Sequence, residues 1–398
     1  MPSKRNARQV GVGGFAVSPR ARRYVDRVLR TGRLSYGPFH RRFESLFAAE
    51  HDSKRAIFCN SGTSALHIAI QALKEKHGWK DGDEVLVPSI TFIATSNVVL
   101  HNRLKPVFVD VDPLTYTLDP AKMEAKITKR TRAVMPVHLL GLPADMDPIR
   151  AVARRHRLKI VEDSAETMFA RYKGRKVGSL GDIGCFSTYV AHYIVTGVGG
   201  LATTDDPDLY IRLRSLMNHG RDSIYLDIDD DGGKKGAALH EVVAKRFKFV
   251  SAGHSFRATE LEAALGLAQL EEKAGIVKAR QAIAARLSAG LSEFADRLQL
   301  PTCPADRDHV YMLYGLVLRG EDKTPLVNFL EDRGVETRDL LPLLNQPVYR
   351  RMFGDLEPRY PVARELNRSG FYIGCHQYMT PADADYVIEQ FRAYFRRR

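Results

Sequence analysis

Between residues 55 and 206 short apolar runs alternate with longer stretches of helical periodicity. Runs rich in β-branched residues at 56–60, 84–88, 106–109, 133–138, 158–162, 183–187 and 200–204 predict seven strands. Helical patterns follow Thr63, Ala94, Asp145 and Asp208. Strands that alternate with helices of this length predict a mostly parallel sheet covered by helices, an α/β fold. Residues 226–244 read as a surface loop followed by a short helix, and 256–289 as one long helix. Beyond that, strands near 310–318 and 335–338 and a final helix from Pro381 predict a smaller α+β unit. The expected organisation is an N-terminal arm at 1–15, a large domain at 16–255 and a small C-terminal domain at 256–398.

Composition narrows the class. The chain has 398 residues, of which 44% are apolar, enough for a sizeable core in two domains. No apolar run reaches the length of a membrane span, and the N-terminus lacks the apolar stretch of a signal peptide, so the expectation is a cytoplasmic protein with no membrane partner. The net charge of +13 is spread along the sequence rather than gathered with aromatics in a binding motif. That distribution argues for a solvated basic surface and no nucleic-acid partner, and it favours an anionic substrate. Cys59, Cys185, Cys303 and Cys375 lie far apart with no paired spacing, which reads as four thiols and no metal site.

Four segments carry candidate chemistry. Ser61-Gly62-Thr63-Ser64 joins a strand to a helix, and backbone N–H groups at a helix N-terminus cradle an anion such as phosphate. Val161-Glu162-Asp163-Ser164-Ala165-Glu166 puts carboxylates at the end of an apolar strand, where ligands bind in open α/β sheets. Pro88-Ser89-Ile90-Thr91-Phe92 places an aromatic after another strand. Finally, 186–200 reads FSTYVAHYIVTGVGG, with Ser187 five residues before His192 and glycines after it. Taken singly, each segment has a structural reading: helix capping for Ser61 or Thr63, a loop carboxylate for Asp163, core packing for Phe92 and for the histidine.

In this order and spacing the segments resemble the DegT/DnrJ/EryC1/StrS family of sugar aminotransferases, which have the type-I fold of pyridoxal phosphate (PLP) enzymes. The similarity runs from about Gly37 to the C-terminus and includes NSGTSALHIAIQAL, VEDSAETMFARYKGRKVGSLGDIGCFS and HSFRATELEAALGLAQLE. The resemblance implies a fold-type-I transferase with a mostly parallel seven-stranded sheet. It implies that Gly62, Thr63 and Ser187 hold the cofactor phosphate, that Asp163 meets the pyridine nitrogen, and that Phe92 stacks on the ring. Glu166 stands where the family often has glutamine. It further implies a homodimer in which Gly253-His254-Ser255-Phe256-Arg257 of a second subunit completes each site, with Ser255 in place of the usual asparagine.

The chain departs from the family at one decisive position. Where the family's cofactor-binding lysine stands there is His192, and no lysine occurs between Lys176 and Lys234. A lysine amine can bond covalently to an aldehyde, whereas an imidazole moves protons. Within the resemblance this histidine marks sugar 3-dehydratases, such as the GDP-4-keto-6-deoxymannose 3-dehydratase branch. The implied cofactor is noncovalent pyridoxamine phosphate (PMP), exchanging with PLP. The implied substrate is a nucleotide-linked 4-keto-6-deoxy sugar, with glutamate as the amino donor and His192 as the catalytic acid and base. Two other readings stay open: an aminotransferase that uses a distant lysine such as Lys173 or Lys176, and a noncatalytic sensor of the same fold.

Overall fold

Strand direction decides where side chains from distant parts of this chain meet. The computed structural model describes residues 8–222 and 231–396. Its main sheet has seven strands: β1 (Arg55–Cys59), β2 (Glu84–Pro88), β3 (Lys105–Val109), β4 (Thr131–Val134), β5 (Lys159–Asp163), β6 (Ile183–Ser187) and β7 (Gly200–Thr204). Their order across the sheet is β1-β7-β6-β5-β4-β2-β3. β7 pairs antiparallel with both β1 and β6, and every other pairing is parallel. Six strands therefore point the same way, and their C-terminal ends share one edge. All seven strands expected from the apolar runs form, with ends shifted by at most a few residues.

The first helices are α1 (Pro19–Thr31), α2 (Pro38–Glu50), α3 (Gly62–His77) and α4 (Ala94–His101). They are followed by α5 (Met146–His156), α6 (Pro207–Met217) and α7 (Gly236–Lys245). α3 starts where its sequence says it should: Ser61 caps it, the Oγ accepting the Ser64 N–H at 3.0 Å. α1 and α2, which the apolar pattern did not reveal, both begin at a proline, a residue suited to the first helical turn. Part of the loop read at 226–244 lies outside the described residues; its short helix is α7.

The stretch expected as one helix over 256–289 is two, α8 (Glu260–Leu270) and α9 (Lys273–Leu291). Periodicity continues across the break, so the pattern alone could not show it. The tertiary reason is Glu271, whose carboxylate accepts from Arg20, from the Tyr24 hydroxyl at 2.9 Å and from Arg42 at 2.7 Å, all on α1 and α2. α8 packs on α1 and α2, whereas α9 packs on the C-terminal helix Pro381–Phe395.

The C-terminal unit is a second antiparallel sheet in the order 298–299, 313–318, 370–374, 337–339. Its strand Gly370–Gly374, central and hidden in the sequence between glycines, was not among the expected elements. The core of this unit gathers Leu287 of α9, Leu316, Phe371, Ile373 and Phe391. The N-terminal arm expected at 1–15 is docked over its described part. Val10 is buried and bridges to Val335, and Arg8 pairs with Asp383 at 2.6 Å.

One buried carboxyl, held by hydrogen bonds, braces the sheet edge. Side chains alternate along β5, so Glu162 and Asp163 face opposite sides. Glu162 is fully buried and accepts N–H groups from Gly178, Leu180 and Gly181 at 2.6–2.8 Å, plus His138 Nε2 at 2.9 Å. His138 Nδ1 accepts the Ala144 N–H at 2.9 Å, which places its proton on Nε2. Replacing Glu162 by alanine orphans all four donors, and a buried donor left unsatisfied costs about 1–3 kcal/mol. Urea denaturation of Glu162→Ala is expected to show that loss; an unchanged midpoint would contradict this role.

Candidate functional site

The C-terminal ends of β1, β2, β5 and β6 deliver Gly62, Phe92, Asp163 and Ser187 to one cavity of about 390 Å³. Thr63, Glu166 and His192 line it as well. Seven of the eight residues singled out in the sequence thus share one site, although up to 130 positions separate them in the chain.

The floor is a cradle between α3 and the sheet. A Cβ on Gly62 would lie 2.8 Å from the Ser187 Cβ, so a larger residue at 62 must push Ser187 away. A Cβ on Gly200 would lie 2.4 Å from the Gly62 nitrogen. At the α3 N-terminus the Ser64 and Ala65 N–H groups are taken by Ser61, and those of Gly62 and Thr63 have no partner among the described residues. Unpaired N–H groups at the positive end of a 16-residue helix suit an anion such as phosphate.

Asp163 closes β5 and is 4% exposed. Its Oδ2 accepts the Thr95 hydroxyl at 2.7 Å and its Oδ1 accepts the Ala165 N–H at 3.2 Å. The Thr95 hydroxyl in turn lies 2.7 Å from that of Thr91. Burial pushes the Asp163 carboxyl up, against the pull of Thr95, of the Ala165 N–H and of His138. A buried carboxylate with two hydrogen bonds and no cation fits a protonated ring nitrogen, which would supply the missing charge.

His192 sits on the loop between β6 and β7. Thr188 and Gly199 close its neck with a 2.9 Å backbone bond, the Thr188 and Thr196 hydroxyls meet at 2.6 Å, and Gln269 of α8 brackets Val195. His192 Nδ1 lies 2.6 Å from the Ala165 carbonyl oxygen. A carbonyl only accepts, so Nδ1 carries the proton and Nε2 keeps its lone pair. Nε2 has no hydrogen-bond partner among the described residues. Burial lowers the imidazole pKa to about 4, the nearby Arg280 charge adds to that, and the bond to Ala165 opposes it. At neutral pH the ring is therefore a free base, rather than the partly protonated group that an unperturbed histidine would be.

Glu166 accepts the Leu140 N–H at 3.0 Å, and Leu140 holds a left-handed φ of 53° to present it. Burial raises the Glu166 carboxyl to about 7, with the charge of Asp163 adding to it. Phe92 is 59% exposed beside the opening, with the exposed Tyr189 and Val198.

Ser255 is not in this cavity. It is exposed, accepts from Arg257 at 2.9 Å, and lines a separate cavity of about 550 Å³ with Tyr36, His40, Asn218, Arg221 and Arg257. Sequence reasoning missed Thr91, Thr95, Tyr372 and Val12 at the site. Thr91 and Thr95 carried no signal beyond their four-residue spacing. Val12 arrives from the docked arm, which no local pattern places there.

The raised Glu166 pKa sets a pH dependence. A carboxyl with a folded value above its unfolded 4.5 holds its proton in the native state while the unfolded chain loses it. The stabilisation is complete below about 4.5 and is lost as pH rises through about 7. In denaturant titrations of ligand-free protein, wild type should lose stability relative to Glu166→Gln over that window, on the order of 3 kcal/mol. Parallel pH profiles for the two proteins would contradict it.

The chain matches the DegT/DnrJ/EryC1/StrS aminotransferase family over residues 17–392. It is 38% identical over 359 residues to GDP-perosamine synthase of Caulobacter vibrioides, covering 89% of each chain. It is 33% identical to the dTDP-4-dehydro-2,6-dideoxy-D-glucose 3-dehydratase of Saccharopolyspora spinosa, over 90% of this chain and 80% of that one. The solved structure of Escherichia coli GDP-4-keto-6-deoxy-D-mannose-3-dehydratase with bound hydrated PLP superposes with a TM-score of 0.86 at 25% identity, covering 96% of this chain and 99% of that one. With the parallel-sheet fold and one cavity at its strand ends, these matches establish that the chain belongs to the DegT/DnrJ/EryC1/StrS aminotransferase family, whose members include both aminotransferases and dehydratases acting on nucleotide-linked sugars.

Proposed function

We propose that this protein is a PMP-dependent 3-dehydratase that removes the C3 hydroxyl of a nucleotide-linked 4-keto-6-deoxy sugar, with His192 as its proton-transfer residue. The observation that carries the reading is His192 Nε2, an unpartnered base in a cavity whose lining contains no lysine. The cofactor fits the residues present. Gly62, Thr63 and Ser187 would take its phosphate, Asp163 its ring nitrogen, and Phe92 a face of its ring. Ser255 of a second copy in a homodimer would complete the phosphate site. Bound PMP supplies an amine that condenses with a sugar ketone and a protonated ring that draws electrons away from a C–H bond.

The chain's own groups divide the remaining work. The Ala165 carbonyl holds His192 Nδ1–H, so the imidazole presents Nε2 in fixed orientation. Nε2 takes a proton as a base at neutral pH. As the imidazolium it can return that proton to a departing hydroxide, and no second base is needed. Because histidine forms no covalent link to an aldehyde, the cradle and Asp163 would hold the cofactor by themselves. Glutamate would restore the amine form.

The similarity to GDP-perosamine synthase favours a second reading, aminotransfer. That chemistry would call on a lysine. Lys173 is engaged by Asp147 at 2.7 Å, the Lys176 ammonium is held by the Phe169 carbonyl, and neither lines the cavity.

The deciding measurement is an absorbance spectrum of the protein with PLP and glutamate, with parallel borohydride reduction and peptide mapping. The expected result is PMP with no lysine adduct, followed by loss of the C3 oxygen from a keto-sugar. A reduced PLP–lysine adduct would return the protein to the aminotransferases. Tight ligand binding without turnover of any keto-sugar would favour a sensor. His192→Asn should keep PMP binding while deoxygenation falls by about 100-fold or more; unchanged turnover would sink the assignment. Gly62→Ala, whose Cβ crowds Ser187, should weaken PMP binding by about tenfold or more in a fluorescence titration.

A further inference from the structure

Arg280 is a buried charge beside the candidate site with no carboxylate partner among the described residues. It sits on the core face of α9, with Ile276, Ile283, Ala284 and Leu287 at helical spacing around it. It is 1% exposed, and its hydrogen bonds all go to backbone carbonyls. Nη1 donates to Met312 O and Cys375 O, each at 2.8 Å, and more weakly to Tyr311 O at 3.3 Å. Nη2 donates to the carbonyl of His192 at 3.2 Å. The guanidinium lies over the Tyr193 ring at 4.7 Å, and its Nε has no partner.

Burying a guanidinium without a carboxylate is costly, so stability alone is a poor reason for it. The planar fork has a geometric reason. It reaches three separate stretches of chain at once: the His192 loop, the 311–312 segment, and the end of the 370–374 strand. A lysine ammonium is a point donor on a flexible stem and cannot span them in one plane.

We propose that Arg280 is a positioning residue for His192, clamping the His192 carbonyl to the C-terminal unit through a single guanidinium. The inference rests on the reading of His192 as the proton-transfer group. The clamp has an electrostatic consequence. Burial is the main cause of the low His192 pKa, and the Arg280 charge, with no carboxylate bound to it among the described residues, adds to it. The other ionisable groups around His192 are Asp163 and Glu166 from the end of β5, Tyr189 and Tyr193 on its own loop, and Tyr372 from the C-terminal sheet. Burial raises both carboxyls and pushes Tyr193 and Tyr372 up into the neutral form. An ionised carboxylate there would raise the imidazole pKa, so Arg280 is the neighbour that opposes protonation.

The test is a nuclear magnetic resonance titration of the His192 imidazole in the full-length protein, with the signal assigned by its loss in His192→Asn. Wild type is expected to titrate near 4, as imidazolium below that pH and as the neutral Nδ1–H tautomer above it. In Arg280→Gln the titration should move up from about 4 while burial keeps it below the ordinary 6.5, and the acid limb of the turnover profile should move with it. Arg280→Lys keeps the charge and loses the fork, so its titration should stay low while kcat falls about tenfold or more at nearly unchanged KM. A His192 titration near 6.5 in wild type overturns the proposal without any variant. An unmoved titration in folded Arg280→Gln overturns it as well. If Arg280→Gln shifts the titration but wild type never deoxygenates a keto-sugar, the coupling stands and the dehydratase reading falls.

Discussion

Parallel strand direction is the constraint on which everything else in this protein depends. β1, β2, β5 and β6 all end at the same edge, so the residues that follow them meet without any long excursion of the chain. The turn after β1 brings Gly62 and Thr63, β5 ends on Asp163, and β6 ends on Ser187. β7 runs the other way and begins at the same edge, so the loop that joins it to β6 must pass over the cavity. That loop carries His192. A reversal of any one of these strands would send its residues to the far side of the sheet.

The edge is useful because it is braced from beneath. Glu162 and Asp163 are neighbours in sequence and opposites in role, since the pleat turns them to different faces. Glu162 is saturated by four donors and locks β5 to the segment 178–181 and to His138. Asp163 receives only two hydrogen bonds, and burial raises its pKa. The same strand thus carries one saturated carboxyl that braces the fold and one under-satisfied carboxyl that faces the cavity. The Ala165 peptide then links Asp163 to His192, its N–H on one and its carbonyl on the other.

Histidine in place of lysine changes what such a site can do, because an imidazole moves protons and forms no covalent link to an aldehyde. The loop closes through Thr188, Thr196 and Gly199, and the cradle forms at Gly62. What differs is the group at the end of the side chain: a nitrogen base with a fixed tautomer in place of an amine. Burial and the Arg280 charge keep that base unprotonated. The family holds both aminotransferases and dehydratases, and the proposal that this chain is one of the second kind rests on that side chain.

The sequence determined the seven strands, the capped start of α3 and the residues of the cradle, because alternating apolar runs and capping side chains act over a few positions. It also exposed the missing lysine, since a side chain's chemistry needs no coordinates. The break between α8 and α9 was invisible to it, because the helical repeat continues across Glu271 while the reason for the break lies on α1 and α2. Thr95, Val12 and Arg280 were likewise hidden, although a charge on the apolar face of α9 was a signal that could have been read. Only the tertiary structure decided the state of the titratable groups. The pKa of His192 near 4 and that of Glu166 near 7 come from burial and from neighbours contributed by remote segments. Tertiary structure also separated Ser255 from the other seven residues, because the segment that carries it packs beside Asn218 and away from the strand ends.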